Sequence, residues 1–294
     1  MKAIEIVKEK ILSELKSGNI PWMKPWISKK FENCAFNRFS KRPYSLINQF
    51  LLDRPGEYGS FLQWSNIGGK VKTGEKGSKV VFYKILEVDN EEQEDGKKKK
   101  IPYLKYLTVF HISQIEGVEP LKEEETARIP LNPIEEAEDM INQYVEVNNI
   151  RLIKKEGDKA CFSPSMDSIT VPLLEQFSDI SEYYSTVFHE CIHSTGTESR
   201  LNRNIKNHFG SADYAREELT AEMGSALLLH ITGIGTSDTQ RNNAAYIQNW
   251  MNVINENSGN LIVKAATLAE KAVDFFLGIT CEEIDVDEKN ENIA

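Results

Sequence analysis

The segment STVFHECIHSTG (185–196) constrains this chain more than any other. Its His189-Glu190-Cys191-Ile192-His193 core places two imidazoles four residues apart. On a helix they share one face and reach a single ion from adjacent turns. Val187, Phe188 and Ile192 on the flanks are apolar, so the helix that carries the pair is a buried one. Zn²⁺ suits the pair, because it accepts neutral imidazole nitrogen and tolerates three protein ligands plus water. Glu190, one residue on, projects beside the ion, where it can take a proton from a water that zinc has activated. The extended pattern HExxHxxGxxH fits at Gly196 but fails at Ser199, so a carboxylate is the expected third ligand.

That carboxylate is sought in EELTAE, which holds Glu217, Glu218 and Glu222. Glu218 and Glu222 lie four apart on one helical face, so one can ligate while the other supports a ligand histidine from behind. Hydrolysis at such a site also needs a donor for the developing oxyanion, and Tyr214, His208 and Arg216 are the candidates. His111, His208 and His230 stand singly and are read as structural.

The chain has 294 residues, enough for two domains. Helical spacing marks residues 4–15, a short helix over YSLINQFLL (44–52), and helices near 180–195, 211–231, 238–257 and 260–277. Asn132-Pro133 opens another helix. VVFYKI and LKYLTVFHI read as paired strands around a charged tip at 89–100, and CFSPSMDSITVP (161–172) as a strand or hairpin. The Pro- and Glu-rich stretch 116–131 reads as a linker, and 281–294 as an acidic tail. No apolar run approaches the ~20 residues of a membrane helix. MKAIEIVKEKILSELKSG lacks the apolar stretch of a signal peptide. Four scattered cysteines (34, 161, 191, 281) without CxxC pairs fit a reducing compartment. The expected setting is the cytoplasm, away from membranes.

A net charge of −10 argues against a nucleic-acid partner only while the chain is taken whole. Residues 1–115 carry 21 Lys+Arg against 13 Asp+Glu, a balance of +8; residues 116–294 carry 14 against 32, a balance of −18. The basic half is rich in aromatics. Trp22, Trp26, Tyr44 and Trp64 are interleaved with Lys41, Arg42, Lys70, Lys72 and Lys76. Rings that stack on bases, with cations that track phosphates, are what single-stranded nucleic acid requires. GGKVKTGEKGSK is no phosphate loop, since Glu75 stands where the lysine is needed.

The landmarks IPWMKPW, NRFSKRPYSLINQFLL, WSNIGGKVKTGEKGSKVVFY, LTVFHISQIEG, DSITVP, STVFHECIHSTGTESRLNR and FGSADYAREELTAEMGSALLL follow one another along nearly the whole chain. In that order they resemble the ArdC antirestriction proteins of conjugative plasmids and phages. The resemblance implies an α+β protein with a small antiparallel-sheet domain (1–115) that binds single-stranded DNA. A mostly helical, zincin-like metallopeptidase domain follows (132–280). It further implies zinc held by His189, His193 and a glutamate of EELTAE, best matched by Glu218, with Glu190 as general base; Glu222 is then the carboxylate left to support a ligand histidine. A peptide or protein substrate would lie along DSITVP as the edge strand of the cleft. Leu46 and His111 depart from the family pattern, which has Gly and Asn there. The implied role is protection of incoming mobile DNA. Two other readings use the same residues: a DNA-coating protein with a structural zinc, and a protease acting on DNA-bound proteins.

Overall fold

The computed structural model describes residues 3–23, 34–88, 99–121, 133–205, 211–234, 244–256 and 259–279. Its first part runs α1 (Ala3–Lys16), a 3-10 turn (Pro21–Met23), β1 (Ala35–Asn37), α2 (Leu46–Leu51), β2 (Gly56–Ser60), α3 (Phe61–Asn66), β3 (Lys70–Val71), β4 (Ser78–Val88), β5 (Lys99–His111) and β6 (Ile115–Glu116). The second runs α4 (Pro133–Val147), β7 (Arg151–Lys154), β8 (Cys161–Ser163), β9 (Ser168–Val171), α5 (Ile180–Ser194), α6 (Ala212–Thr232), α7 (Ala244–Glu256) and α8 (Asn260–Phe276). A sheet-based unit followed by a mostly helical one is the expected α+β class. Among the described residues no helix is long and apolar enough to cross a membrane.

The larger sheet has the order β1-β2-β5-β4. It is not wholly antiparallel, because β1 pairs parallel with β2. Its two edge strands are bound by consecutive residues of α2. Asn48 donates to the Val81 carbonyl (2.8 Å) and accepts the Val81 N–H (2.7 Å) on β4. Gln49 treats Ala35 of β1 the same way, at 2.8 and 2.9 Å. One short helix can reach both edges only if the sheet curls. Inside the curl lies a small cluster of Ala35, Leu52, Tyr58, Val80 and Val109.

The main core ignores the boundary between the halves. Val7, Ile11 and Leu15 of α1, spaced for one helical face, join Val81 of β4 and the buried faces of α4 to α8 in one cluster. The Leu46 N–H donates to Glu270 of α8 at 2.9 Å. Residues 116–121, expected as linker, are instead pinned to the sheet unit. Glu116 pairs with Lys70, Leu121 N–H donates to Glu57 (2.7 Å), and Arg38 donates to the Glu119 carbonyl (3.0 Å). The rest of the expected linker, the tip at 89–98 and the tail lie outside the described residues.

A second sheet has the order β7-β9-β8. The DSITVP strand, β9, is therefore central, pairing with β7 on one side and β8 on the other. The expectation that it forms the cleft edge is corrected. The edge strand is β8, because the hairpin turns back through 164–167 while β7 takes the opposite flank of β9.

Candidate metal centre

α5 starts at Asp179, whose carboxylate accepts the Ser181 N–H at 2.7 Å, an N-cap bond. Tyr183, Tyr184, Val187, Phe188, Cys191 and Ile192 bury most of the helix, and its half-open flank carries His189 and His193. α6 starts at Ser211, which accepts the Tyr214 N–H at 3.1 Å. The two helices meet at Gly224, where a Cβ would sit 2.8 Å from Ile192 Cγ1. Glycine alone permits that approach, and it brings the glutamates of α6 up to the histidines of α5.

His189 Nε2 and His193 Nε2 lie 3.0 Å apart. Glu218 Oε2 is 3.7 Å from the first and Glu218 Oε1 is 3.6 Å from the second. Donors at ~2.0–2.1 Å from a tetrahedral zinc are separated by about 3.3 Å, so these spacings span the face of one coordination shell. Two imidazole nitrogens turned toward each other beside a carboxylate offer lone pairs that a cation satisfies. The residues present fit a divalent metal, and the three ligand atoms lie within 4.8 Å of one another.

Behind the triad, Glu217 Oε1 meets His193 Nδ1 at 3.1 Å. Arg203 grips the same carboxylate with Nη2 (2.8 Å) and Nε (3.0 Å). Its remaining bonds go to Thr195 Oγ1 (2.7 Å) and the Ile192 carbonyl (2.8 Å) at the end of α5. With Nδ1–H held by a carboxylate, the Nε2 lone pair of His193 faces the metal position. Glu222, expected in this supporting place, stands 3.9 Å from His189 Nδ1. The close bond is made by Glu217, and its clamp Arg203 was not foreseen. A buried guanidinium leaves no periodic signal, although RLNR just after the motif holds the residue.

The charges follow this geometry. Burial would raise the Glu217 carboxyl, but the His193 bond and Arg203 hold it below its usual range. Burial would likewise raise the Glu218 carboxyl, but the His189 bond and both histidine charges hold it below its usual range. For His189 burial favours the neutral ring, yet the Glu218 bond and the charges of Glu222 and Glu190 raise its pKa. The carboxylates that raise the His189 pKa would draw a cation to the same place.

The triad opens into a cleft of about 390 Å³, lined by Glu190 and Tyr214 on the helical side and by Ala160, Cys161, Phe162 and Pro164 along β8. Glu190 is buried at its wall, outside the ligand group. A neighbouring cavity of about 570 Å³ shares Pro164 and Ile205 with it. Of the oxyanion candidates, Tyr214 faces the cleft, while Arg216 pairs with Asp213 (2.8 Å) and lines a different cavity with Lys264. His208 lies outside the described residues. His111 is satisfied structurally, between Ser113 (2.9 Å) and the Pro55 carbonyl (3.0 Å). Burial pushes His230 down to about 4 and keeps it neutral.

Residues 136–268 match the zincin-like metallopeptidase family, and residues 1–110 match the N-terminal domain of anti-restriction factor ArdC. The metal-free crystal structure of antirestriction ArdC protein from R388 plasmid is 31% identical, with 94% of this chain and 97% of that chain covered at a TM-score of 0.70. The chain belongs to the ArdC antirestriction family. A Mn(II)-bound structure of the same R388 protein is similar at 28% identity, over 96% of this chain and all of that one, again at 0.70. DNA primase TraC of Escherichia coli is 32% identical over 95% of this chain, which spans only 20% of the primase. An uncharacterized protein of Sinorhizobium fredii, y4eC, is 27% identical over 92% of this chain and 90% of its own length. A zincin-like domain implies metal binding, and the His189–His193–Glu218 group falls inside the residues that match it.

The aromatic candidates of the N-terminal unit fare differently from the metal residues. Trp22 is 1% exposed, edge-on to Phe50 (6.0–6.5 Å ring spacings also embrace Trp250), and belongs to the main core. Trp64 is wholly buried, its indole donating to the Phe110 carbonyl at 2.9 Å. Tyr44 packs edge-on to Tyr58 against the small cluster, and burial pushes its phenol up to about 12. None of the three presents a ring face for stacking, a correction whose cause is tertiary: the partners of Trp22 and Trp64 come from distant segments. Trp26 lies outside the described residues. Lys41, Arg42, Lys70, Lys72 and Lys76 are exposed.

Proposed function

We propose that this chain protects incoming DNA from restriction by pairing a single-stranded-DNA-binding unit with a zinc peptidase. The observation that carries the reading is the placement of Glu190 at the wall of the cleft beside, and not within, the His189–His193–Glu218 group. A purely structural site needs ligands, not a carboxylate base facing an open position.

Two imidazoles and one carboxylate suit zinc, and the R388 protein's Mn(II)-bound form indicates that the fold also takes manganese. When bound, zinc supplies Lewis acidity that lowers the pKa of water toward ~7. Glu190 accepts the proton of the attacking water and returns it to the departing amine. Tyr214 donates to the developing oxyanion; burial and the neighbouring Glu218 raise its phenol, so it stays a donor. A substrate peptide lies along the β8 edge by strand addition, with its scissile bond over the cleft. Glu217 holds His193 from behind, and Glu222 faces His189.

The deciding experiment is Glu190→Gln. Metal content by elemental analysis and binding of single-stranded DNA are expected to stay at wild-type levels, while peptide hydrolysis falls by at least 10²-fold. Undiminished protection of DNA from restriction by this variant would make the zinc structural to a DNA-coating function and reject proteolysis as the mechanism.

A further inference from the structure

Among the described residues the buried tryptophans offer the DNA-binding role no stacking surface, and the outer face of the curled sheet supplies one. Side chains alternate along β5, so Tyr106, Thr108 and Phe110 share a face, the one turned away from the small inner cluster that Val109 joins. Phe61, the first residue of α3, lies edge-on to Phe110 with ring centroids 6.5 Å apart. Phe61 is 63% exposed and Tyr106 44% exposed, large values for aromatics that no core claims. Tyr106 and Phe110 are about 13 Å apart along the strand, a span that holds more than one base.

Cations border this strip. Lys79, directly opposite Thr108 in the register, holds its ammonium 4.9 Å from the Tyr106 ring centroid. The loop before β4 packs at Gly77 against Thr108 and the edge of the Phe110 ring. A Cβ there would stand 2.5 Å from Thr108 Cγ2 and 3.0 Å from Phe110 Cε1. Gln114 ties the loop down through Glu75 (2.8 Å) and the Lys76 carbonyl (3.0 Å), and the Lys76 side chain, next in sequence to Gly77, is exposed.

We infer that Phe61, Phe110 and Tyr106 form the platform on which successive bases of single-stranded DNA stack, with Lys76 and Lys79 tracking the phosphates. The inference rests on the DNA-binding reading above and locates it. Interleaved lysines distinguish the strip from a protein-docking patch, since protein interfaces are depleted in Lys while single-strand binders combine aromatics with basic residues.

The test uses the full chain and a labelled oligothymidine, with affinity read by fluorescence anisotropy at several salt concentrations. Phe61→Ala and Tyr106→Ala are each expected to weaken binding about 5- to 150-fold without changing the salt slope. Lys76→Ala is expected to flatten that slope by about one. Tyr106→Phe keeps a ring and retains wild-type affinity, whereas Phe61→Leu keeps an apolar side chain without one and stays weak. Wild-type affinity in Phe61→Ala and Tyr106→Ala, or in Phe61→Leu, overturns the platform while the DNA-binding reading stands. No binding by the wild-type chain removes that reading itself. Both alanine sites are exposed, and unchanged thermal melting confirms that each variant folds.

Discussion

Arg203 reaches back from the loop after α5 and spends every bond it makes within the metal centre's support. Its Nε and Nη2 hold Glu217, Nη2 also donates to the Ile192 carbonyl, and Nη1 donates to Thr195, at the end of the helix that bears both histidines. Removing it leaves the Glu217 charge buried without a cation, which is costly, and frees the His193 ring to turn. Arg203→Met and Glu217→Gln should each lower metal affinity about 10- to 100-fold, measured by competition with a chelator on the folded protein. Arg203→Lys should recover little of it, because an ammonium has no planar fork to hold one carboxylate twice. Metal affinity at wild-type level in Arg203→Met would show that His193 is oriented by its packing alone. At this scale the candidate ligand group was legible beforehand. His189 and His193 announce themselves by a spacing that only a helix explains, and Glu218 by the family order of motifs. Glu217 and Arg203 were not, since which of three neighbouring glutamates meets which ring depends on the rotation of α6 against α5, set where Gly224 meets Ile192.

Among the elements, α2 shows the largest return for its length. Six residues supply two buried amides that stand in for missing strands at both edges of the sheet. Unpaired edges invite association with other chains, and here Asn48 and Gln49 occupy them at Val81 and Ala35. Asn48→Leu orphans the Val81 N–H and carbonyl, and should destabilise the fold by roughly 1–3 kcal/mol per unsatisfied group, read as a lowered denaturant midpoint. An unaltered midpoint would mean that water satisfies the Val81 groups without cost. Helices were well marked in the chain: α5, α6 and α8 fall within a residue or two of their expected bounds, because apolar spacing repeats with the helical period. Strands were marked as strands but not as neighbours. Nothing in SITV tells that β9 lies between β7 and β8, nor in AFN that β1 runs parallel to β2, since pairing partners are chosen by the fold and not by the alternation within one strand.

Across the whole molecule, the split in charge and the split in packing do not coincide. Residues 1–115 are basic and 116–294 acidic, and the two family matches respect that division. The apolar core does not: α1 buries Val7, Ile11 and Leu15 in the cluster that holds α5 to α8, and Trp22 meets Trp250. A chain lacking residues 1–16 should therefore lose stability in the metallopeptidase part, with an earlier melt and weaker metal retention. An unchanged melt of the helical part would show that α1 is merely laid upon it. Intact, the chain should unfold in one transition that carries both units. Local order along the chain was sufficient for the two-part α+β character, the helices, the candidate metal ligands and the basic half, because each of these rests on periodicity, spacing or charge within a short stretch. The burial of Trp22 and Trp64, the edge position of β8, the Arg203–Glu217 clamp and the exposure of Phe61 and Tyr106 on either side of Phe110 came only with folding. Each depends on which distant residue arrives alongside, and long-range contacts leave no trace in the spacing of either partner.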